Sequence, residues 1–537
     1  MSPAFKLREM CQPYWDESAA LQPTTRLSRR DYTLWKPTPQ EISDRLGWLD
    51  LPQAMHSAVL ELEDFVEDAR RRRFRDVVLL GMGGSSLCAE VMRETFDGRE
   101  AFPTLHVLDS TVPAWVRRQT EAIDPARTLF LVASKSGTTI EVMSFYKHFR
   151  ALVEQTKSGP AGENFAAITD PGTPLATRAA EEGFMHAFIN PSNLGGRYSA
   201  LSHFGLVPCA LMGLNVGELL SRAREMSRAC GVVFPVEENP GAWLGMIAGC
   251  MARAGRDKLT IITSPAVRAF GLWAEQLLAE STGKEGKGIV PIVHEPGMPP
   301  SAYGEDRLFV YLHLGTDDNA ETDAWADEIE KAGFPLLRSE LRDLYDIGGE
   351  YFRWEFATAI AGACLRINPF DQPNVKESKD NTARVLAACE GGKDLPPLHD
   401  EGGFEDLIES ARPGDYLAIL NYADRTAEDE NAVQDLRAAL LSKRNLPTMH
   451  GYGPRYLHST GQLHKGGANN GLFLQITRES DADVPIPGEA YSFGTLAAAQ
   501  AIGDFEALKA HGRRAVRVRL KRGETLDARF RAFKEIV

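Results

Sequence analysis

The sequence predicts an α/β protein of parallel sheets covered by helices, divided among several packed domains. Two patterns point there. Short, uninterrupted apolar runs alternate with helix-period segments, as buried parallel strands and their crossover helices do. Two of those runs, Val77 to Leu80 and Leu129 to Ala133, open into loops rich in glycine and small hydroxyl residues that lead straight into helices. The length of 537 residues exceeds what one ordinary core serves.

In chain order, residues 1–45 lack clear periodicity and are expected to be an N-terminal arm or linker. From Leu51 to Arg73 apolar residues recur at helical spacing and end in arginines, which suit a helix C-terminus. Strands are expected at Val77–Leu80, Leu105–Leu108, Leu129–Ala133 and Ala166–Thr169, with helices between them. A helical stretch runs from about 216 to 256. It is followed by strands at Lys258–Thr263 and Leu308–His313 and a long apolar helix at Gly348–Leu365. A third set contains strands at Tyr416–Asn421 and Gly471–Thr477 and a helix near Leu496–Ile502. The second and third sets resemble each other in outline, with Gly348–Phe352 matching Tyr491–Thr495 in position, which suggests an internal duplication. The expected division is 1–45 arm, 46–215 first domain, 216–391 second domain and 392–537 an additional α/β lobe.

Hydrophobic residues make up 43% and charged residues 25% of the chain, as in soluble globular proteins. No apolar stretch is long enough for a membrane span, and the N-terminus lacks a secretory signal pattern, so a cytoplasmic protein without a membrane partner is expected. A net charge of −14 argues against a nucleic-acid partner and requires that any anionic substrate be captured by a local site. The basic runs Arg70–Arg73 and Arg513–Arg522 are expected to be solvated surface. The 7 cysteines are scattered from Cys11 to Cys389 without a C-x-x-C pair, and reduced core thiols are expected.

The chemistry is concentrated in two loops. Gly81-Met82-Gly83-Gly84-Ser85-Ser86 and Ser134-Lys135-Ser136-Gly137-Thr138-Thr139 each follow a strand and open a helix. Backbone N–H groups and small hydroxyls at a helix N-terminus bind anions, and strand C-termini of one sheet can bring both loops together. Gly83, Gly84, Ser85, Ser134, Lys135, Ser136, Thr138 and Thr139 are therefore candidate ligands of a phosphate monoester.

These loops resemble the two phosphate-loop motifs of sugar isomerase (SIS) domains. Three further segments, in order, resemble the glucose-6-phosphate isomerase family: Asn193-Leu194-Gly195-Gly196-Arg197-Tyr198-Ser199, Glu280-Ser281-Thr282-Gly283-Lys284, and Phe370-Asp371-Gln372 with Lys379. The closest likeness is to the isomerase part of bacterial fusions with transaldolase, although the chain before residue 45 is too short for a transaldolase barrel. The resemblance implies SIS-type three-layer sandwiches plus the extra lobe, and aldose–ketose isomerisation of a small sugar phosphate through ring opening and an enediolate. It implies Glu280 as the base moving a proton between C2 and C1, with Lys284 and Lys287 helping to keep it ionised. It assigns Arg197 to the enediolate charge, with Gly196 allowing close approach, and Lys379 to ring opening.

The segment after Gln372 departs from the family pattern in reading Asn374-Val375-Lys376, with the spacing to Lys379 preserved. The family's ring-opening histidine has no match in its usual interval, where only His294 and His313 occur. Leu457-His458-Ser459-Thr460-Gly461-Gln462-Leu463-His464 resembles the histidine-bearing helix instead, which points to His458, with His464 in reserve and a different acid–base group as a further alternative. Glu355 also matches a family glutamate and is expected to be structural, in a buried ion pair. No metal or cofactor is implied. Another SIS-type phosphosugar isomerase and a non-catalytic phosphosugar-binding regulator are the alternatives, and the joint presence of Glu280 and Arg197 favours an enzyme. Homodimer formation and a functional link to a transaldolase are left open.

Overall fold

The computed structural model describes residues 3–390, 395–480 and 482–536. Three all-parallel sheets organise the chain. The first contains β1 (Asp76–Leu80), β2 (Thr104–Leu108), β3 (Thr128–Ala133), β4 (Phe165–Thr169) and β5 (His186–Ile189), in the order β2-β1-β3-β4-β5. The second contains β6 (Lys258–Thr263), β7 (Val290–Val293), β8 (Arg307–Leu314) and β9 (Leu336–Leu341), in the order β7-β6-β8-β9. The third contains β10 (Tyr416–Tyr422), β11 (Thr448–Tyr452), β12 (Gly471–Arg478) and β13 (Arg514–Leu520), in the order β11-β10-β12-β13. The α/β class of parallel, helix-covered sheets is as the alternation of apolar runs requires. The expected boundary near 392 falls on residues outside those described.

All three sheets begin with the same arrangement: the first strand lies between the second and the third. The direction of winding reverses between first and third strands, and in open α/β sheets the crevice beyond that reversal is where ligands sit. In the first sheet β1 pairs with β3 in register Leu80↔Val132, so the loops following these strands leave the sheet side by side.

The shared order supports a repeated architecture, but not the pairing of Gly348–Phe352 with Tyr491–Thr495. The helix Ile347–Leu365 follows the fourth strand of its sheet, whereas Phe493–Ala510 connects the third to the fourth. Both are apolar and both open beside glycine, which made them look alike.

The helix Ile347–Leu365 is the pillar of the second domain. Every one of its residues is buried, as expected of a helix that is apolar all round. Residues 3–50 do not form a loose arm but pack as short helices, Pro3–Glu9, Tyr14–Ala20 and Pro23–Ser28, and 3₁₀ turns. Trp15, Leu27 and Ile42 are buried there, and Trp35 Nε1 donates to the Ala359 carbonyl at 2.8 Å. These segments are too short to show a helical period, and their packing onto the second domain holds them.

The C-terminal basic run also departs from expectation. Arg514–Leu520 is strand β13, and Arg513 and Arg517 are buried. Arg517 donates to Gln475 Oε1 at 2.7 Å, and its guanidinium lies over the Phe505 ring. Strand alternation carries these arginines inward, where side-chain and carbonyl acceptors meet them. Six cysteines are buried free thiols, and the Cys389 side chain lies outside those described. No described helix is long and apolar enough to cross a membrane.

Candidate active site

The loops after β1 and β3 lie at the reversal point of the first sheet. Ser134 to Thr139 precedes the helix Ile140–Thr156, with Thr139 at its N-cap position. The hydroxyls of Ser136 and Thr138 lie 3.0 Å apart on the exposed side of the loop, while Ser134 Oγ is buried and bonds Thr139 Oγ1 at 2.9 Å. Ser134 therefore braces the loop from behind, and Ser136, Thr138 and Thr139 line a cavity of about 230 Å³. Lys135 points elsewhere and pairs with Asp170 at 2.5 Å.

The loop after β1 is pressed between two other segments. Gly83 adopts φ +54°, where a side chain is strained, and a Cβ there would come within 2.4 Å of the His458 carbonyl oxygen. A Cβ on Gly84 would lie 2.2 Å from the Gly196 carbonyl oxygen. Gly83 and Gly84 thus act as contact points between backbones, and Ser85 is half-buried beside them. A Cβ on Gly196 would meet nothing, so its surroundings are open.

The segments around Arg197, Glu280 and Asp371 meet. Arg197 is 2% exposed, and each guanidinium nitrogen is engaged: Nε with Ser281 Oγ at 2.7 Å, Nη1 with Glu280 Oε1 at 3.0 Å, and Nη2 with the carbonyls of Pro369 and Asp371 at 2.7 and 2.9 Å. Glu280 sits in the last turn of the buried helix Phe270–Thr282. Its Oε2 accepts from Gln276 Nε2 at 3.1 Å, and the same amide donates to the His458 carbonyl at 2.7 Å. Arg197, not the lysines, is the direct charge partner of Glu280. Lys284 instead bonds Asn368 and Asp371, and Lys287 bonds the Leu365 carbonyl. Burial, reinforced by Arg197, pushes the Lys284 ammonium down to about 7 against the pull of Asp371.

The third lobe closes the arrangement. His458 ends the 3₁₀ turn Arg455–His458, and its Nε2 lies 2.8 Å from Glu141 Oε1. Gln500 Nε2 donates to that same oxygen at 2.7 Å. Burial alone would raise the Glu141 carboxyl, but the His458 imidazole and Lys379 outweigh it and hold the group below its usual range. Lys379, on the helix Val375–Glu390, is exposed on the rim of the cavity that Ser136, Thr138, Thr139, Glu141 and His458 also line. Gln462 clamps the signature segments together by donating to the Gly283 carbonyl at 2.9 Å and accepting from the Asn374 N–H at 2.9 Å.

His464 lies away from this cavity. It is 2% exposed, has no hydrogen-bond partner on either ring nitrogen, packs edge-on against Phe473 at 5.2 Å, and is pushed well below its ordinary value by burial. Glu355 does not form the expected ion pair. Its two oxygens are buried without a partner, and burial raises the carboxyl well above its usual range, which disfavours the charged form. Among the described residues no group of three or more His, Cys, Asp or Glu side chains is placed to hold a metal ion.

Sequence reasoning did not single out Glu141, Gln276 or Gln500. Glu141 was within reach, because an acid two residues after the phosphate loop faces the same cavity from the first helical turn. Gln276 lies one helical turn before Glu280 and shares its face. Gln500 is 121 residues beyond Lys379 on another sheet's helix, with no local sequence signal linking it to Glu141.

Residues 64–293 match the family model for phosphoglucose isomerase, and glucose-6-phosphate isomerases align well beyond that segment. The enzyme of Parabacteroides distasonis is 28% identical over 393 residues, 64% of this chain and 87% of the relative. The chain is similar to phosphoglucose isomerases over more than half of its length. The probable glucose-6-phosphate isomerase of Methanococcus maripaludis is 26% identical over 63% of this chain and 84% of its own length. The crystal structure of a glucose-6-phosphate isomerase from Chlamydia trachomatis shares the fold, with a TM-score of 0.59 at 19% identity over 71% of this chain and 86% of that one. A hypothetical protein from Thermus thermophilus also shares it, at TM-score 0.61 and 24% identity over 70% and 98%. About a third of this chain lies outside each of these family alignments.

Proposed function

We infer that the chain interconverts glucose 6-phosphate and fructose 6-phosphate. Similarity to phosphoglucose isomerases supports the reaction, and the buried Arg197–Glu280 pair beside two phosphate-type loops carries the assignment of residues. The substrate phosphate rests on the N-terminus of the helix Ile140–Thr156, with the hydroxyls of Ser136, Thr138 and Thr139 as donors. Lys379 and His458 stand at the ring oxygens, where one proton must reach O5 and another must leave O1 for the ring to open. Glu141 fixes His458 in orientation from behind.

In the open chain Glu280 takes the C2 proton, leaving an enediolate, and returns it to C1. The hydroxyl proton of O2 passes to O1 at the same time, so O2 becomes the ketone oxygen, C1 becomes a CH2OH group and the proton count is conserved. Arg197, already rigid, meets the developing negative charge without reorganisation. A non-catalytic phosphosugar sensor would have no use for a carboxylate held in this way.

The test supplies fructose 6-phosphate to the purified protein and couples product to glucose-6-phosphate dehydrogenase. Steady NADPH formation is expected; none above background would overturn the inference.

A further inference from the structure

A second cavity, of about 770 Å³, lies where the three sheets meet, and it shares no lining residue with the first. One outer strand of each sheet reaches it: His106 and Val107 of β2, Val293 at the end of β7 with His294 just after it, and His450 and Tyr452 of β11. Six arginines line it against three glutamates. Four are paired: Arg425 with Glu90, Glu94 and Glu430, Arg93 with Glu90 and Glu94, Arg118 with Asp424, and Arg455 with Asp109. Two others have no carboxylate within ion-pair distance among the described residues. Arg437, 1% exposed, spends its guanidinium on the carbonyls of Val293, His294 and Thr448 and on the Thr448 hydroxyl. Arg268 stands exposed at the rim.

The Arg437 guanidinium is bonded only to neutral groups, and the nearby Glu295 and Glu275 act on it without contact, Glu295 being already paired with Arg307; a concave low-dielectric wall focuses the field that remains. The cavity also holds polar atoms with no partner in the protein: Nε2 of His450, and Nε2 of Gln119, a residue 9% exposed. Burial, with Arg268 and Arg437 respectively, pushes His294 and His450 each down to about 3, as a positive cavity requires. A chain of net charge −14 that concentrates arginines in an interior space has built a local exception to its own field.

We propose that this cavity is a second ligand site, taking a small anion that carries two or more phosphate or carboxylate groups. Its size is in the range that encloses a whole metabolite and is several times the ~30 Å³ of one water. Arg268 and Arg437, the two lining arginines without a carboxylate in ion-pair contact, can each be met by one negative group. Arg268 supplies the accessible cation, Arg437 the fixed field, and Gln119 and His450 the unengaged ring and amide nitrogens.

The test is calorimetric titration of the full chain with inorganic pyrophosphate at low salt, and in parallel with citrate. The parent protein, Arg268→Glu, Lys379→Ala and Arg29→Glu are compared. Arg29 is exposed and lies on another face, so its variant changes net charge equally without touching the cavity. Saturable binding is expected, weakened roughly tenfold or more by Arg268→Glu, changed less than about twofold by Arg29→Glu, and surviving in Lys379→Ala, where any binding at the first cavity is reduced. Tighter binding of pyrophosphate assigns phosphate as the recognised group; tighter binding of citrate assigns carboxylate. Absence of saturable binding of either probe up to about 10 mM would overturn the proposal. So would equal losses in Arg268→Glu and Arg29→Glu, or binding abolished by Lys379→Ala alone.

Discussion

The contact between His458 and Glu141 permits a clean charge-only perturbation. Both bonds to Glu141, from His458 and from Gln500, land on one oxygen, Oε1. In Glu141→Gln an amide oxygen can occupy that position and accept both, so geometry is preserved while the charge is removed. A hydrogen bond to a charged group contributes about 1.5–3 kcal/mol and a neutral one about 0.5–1.5 kcal/mol. The difference of ~1–2 kcal/mol converts to a fall of roughly 5- to 30-fold in the step that uses His458. The assay is steady-state turnover of fructose 6-phosphate, read as kcat and KM separately. The expected result is a lower kcat with KM changed less than about threefold, because Glu141 holds a proton-transfer group and not the phosphate. Unchanged kcat, or a loss confined to KM, would refute the assignment of His458 and Glu141 to ring opening.

Three further outcomes are expected. Glu280→Gln should abolish exchange of the substrate C2 proton with solvent deuterium while sugar-phosphate binding by calorimetry persists; retained exchange would remove Glu280 from the reaction. Gly84→Ala places a methyl group 2.2 Å from the Gly196 carbonyl, so thermal unfolding should show a loss of about 1–3 kcal/mol, and an unchanged Tm would mean that the loops are not in firm contact. Burial pushes Glu275, which has an unpartnered Oε1, from 4.5 up to about 8. The folded state then holds a proton that the unfolded state has released, so the parent protein should lose stability relative to Glu275→Gln as pH rises from about 4.5 to 8. Denaturant titrations across that window read the difference, and a flat difference would contradict the burial of this carboxyl.

Strands whose residues are apolar on both faces were legible in the sequence, and β6 appears at its expected residues, Lys258–Thr263. Strands β5, β7, β9, β11 and β13 were not foreseen. His186–Ile189 and Thr448–Tyr452 carry histidines, Val290–Val293 contains a proline, and Leu336–Leu341 alternates with exposed Arg338 and Glu340. Arg514–Leu520 carries three arginines. All five lie at the outer ends of their sheets, where one flank is unpaired and composition is freer. The same holds for the site. The phosphate loops announce themselves because glycine and hydroxyl residues cluster between a strand and a helix. Gln500 and Gln276 act through single amides placed by tertiary packing, which leaves no local pattern. Nor does sequence spacing tell His458 from His464: they are six residues apart, one facing Glu141 and the other packed on Phe473.

The order in which the ribosome delivers these parts has a consequence of its own. The phosphate loops, Arg197, Glu280 and Lys379 have all been synthesised by residue 379, yet His458, Gln462 and Gln500 come later and from a different sheet. At about 5–20 residues per second, the 79 residues from Lys379 to His458 take roughly 4–16 s to add. Throughout that interval a nascent chain holds the acid–base and phosphate-binding groups of its first two sheets but lacks the histidine and the glutamine clamp. On the proposed assignment of His458 to ring opening, activity arrives late in synthesis.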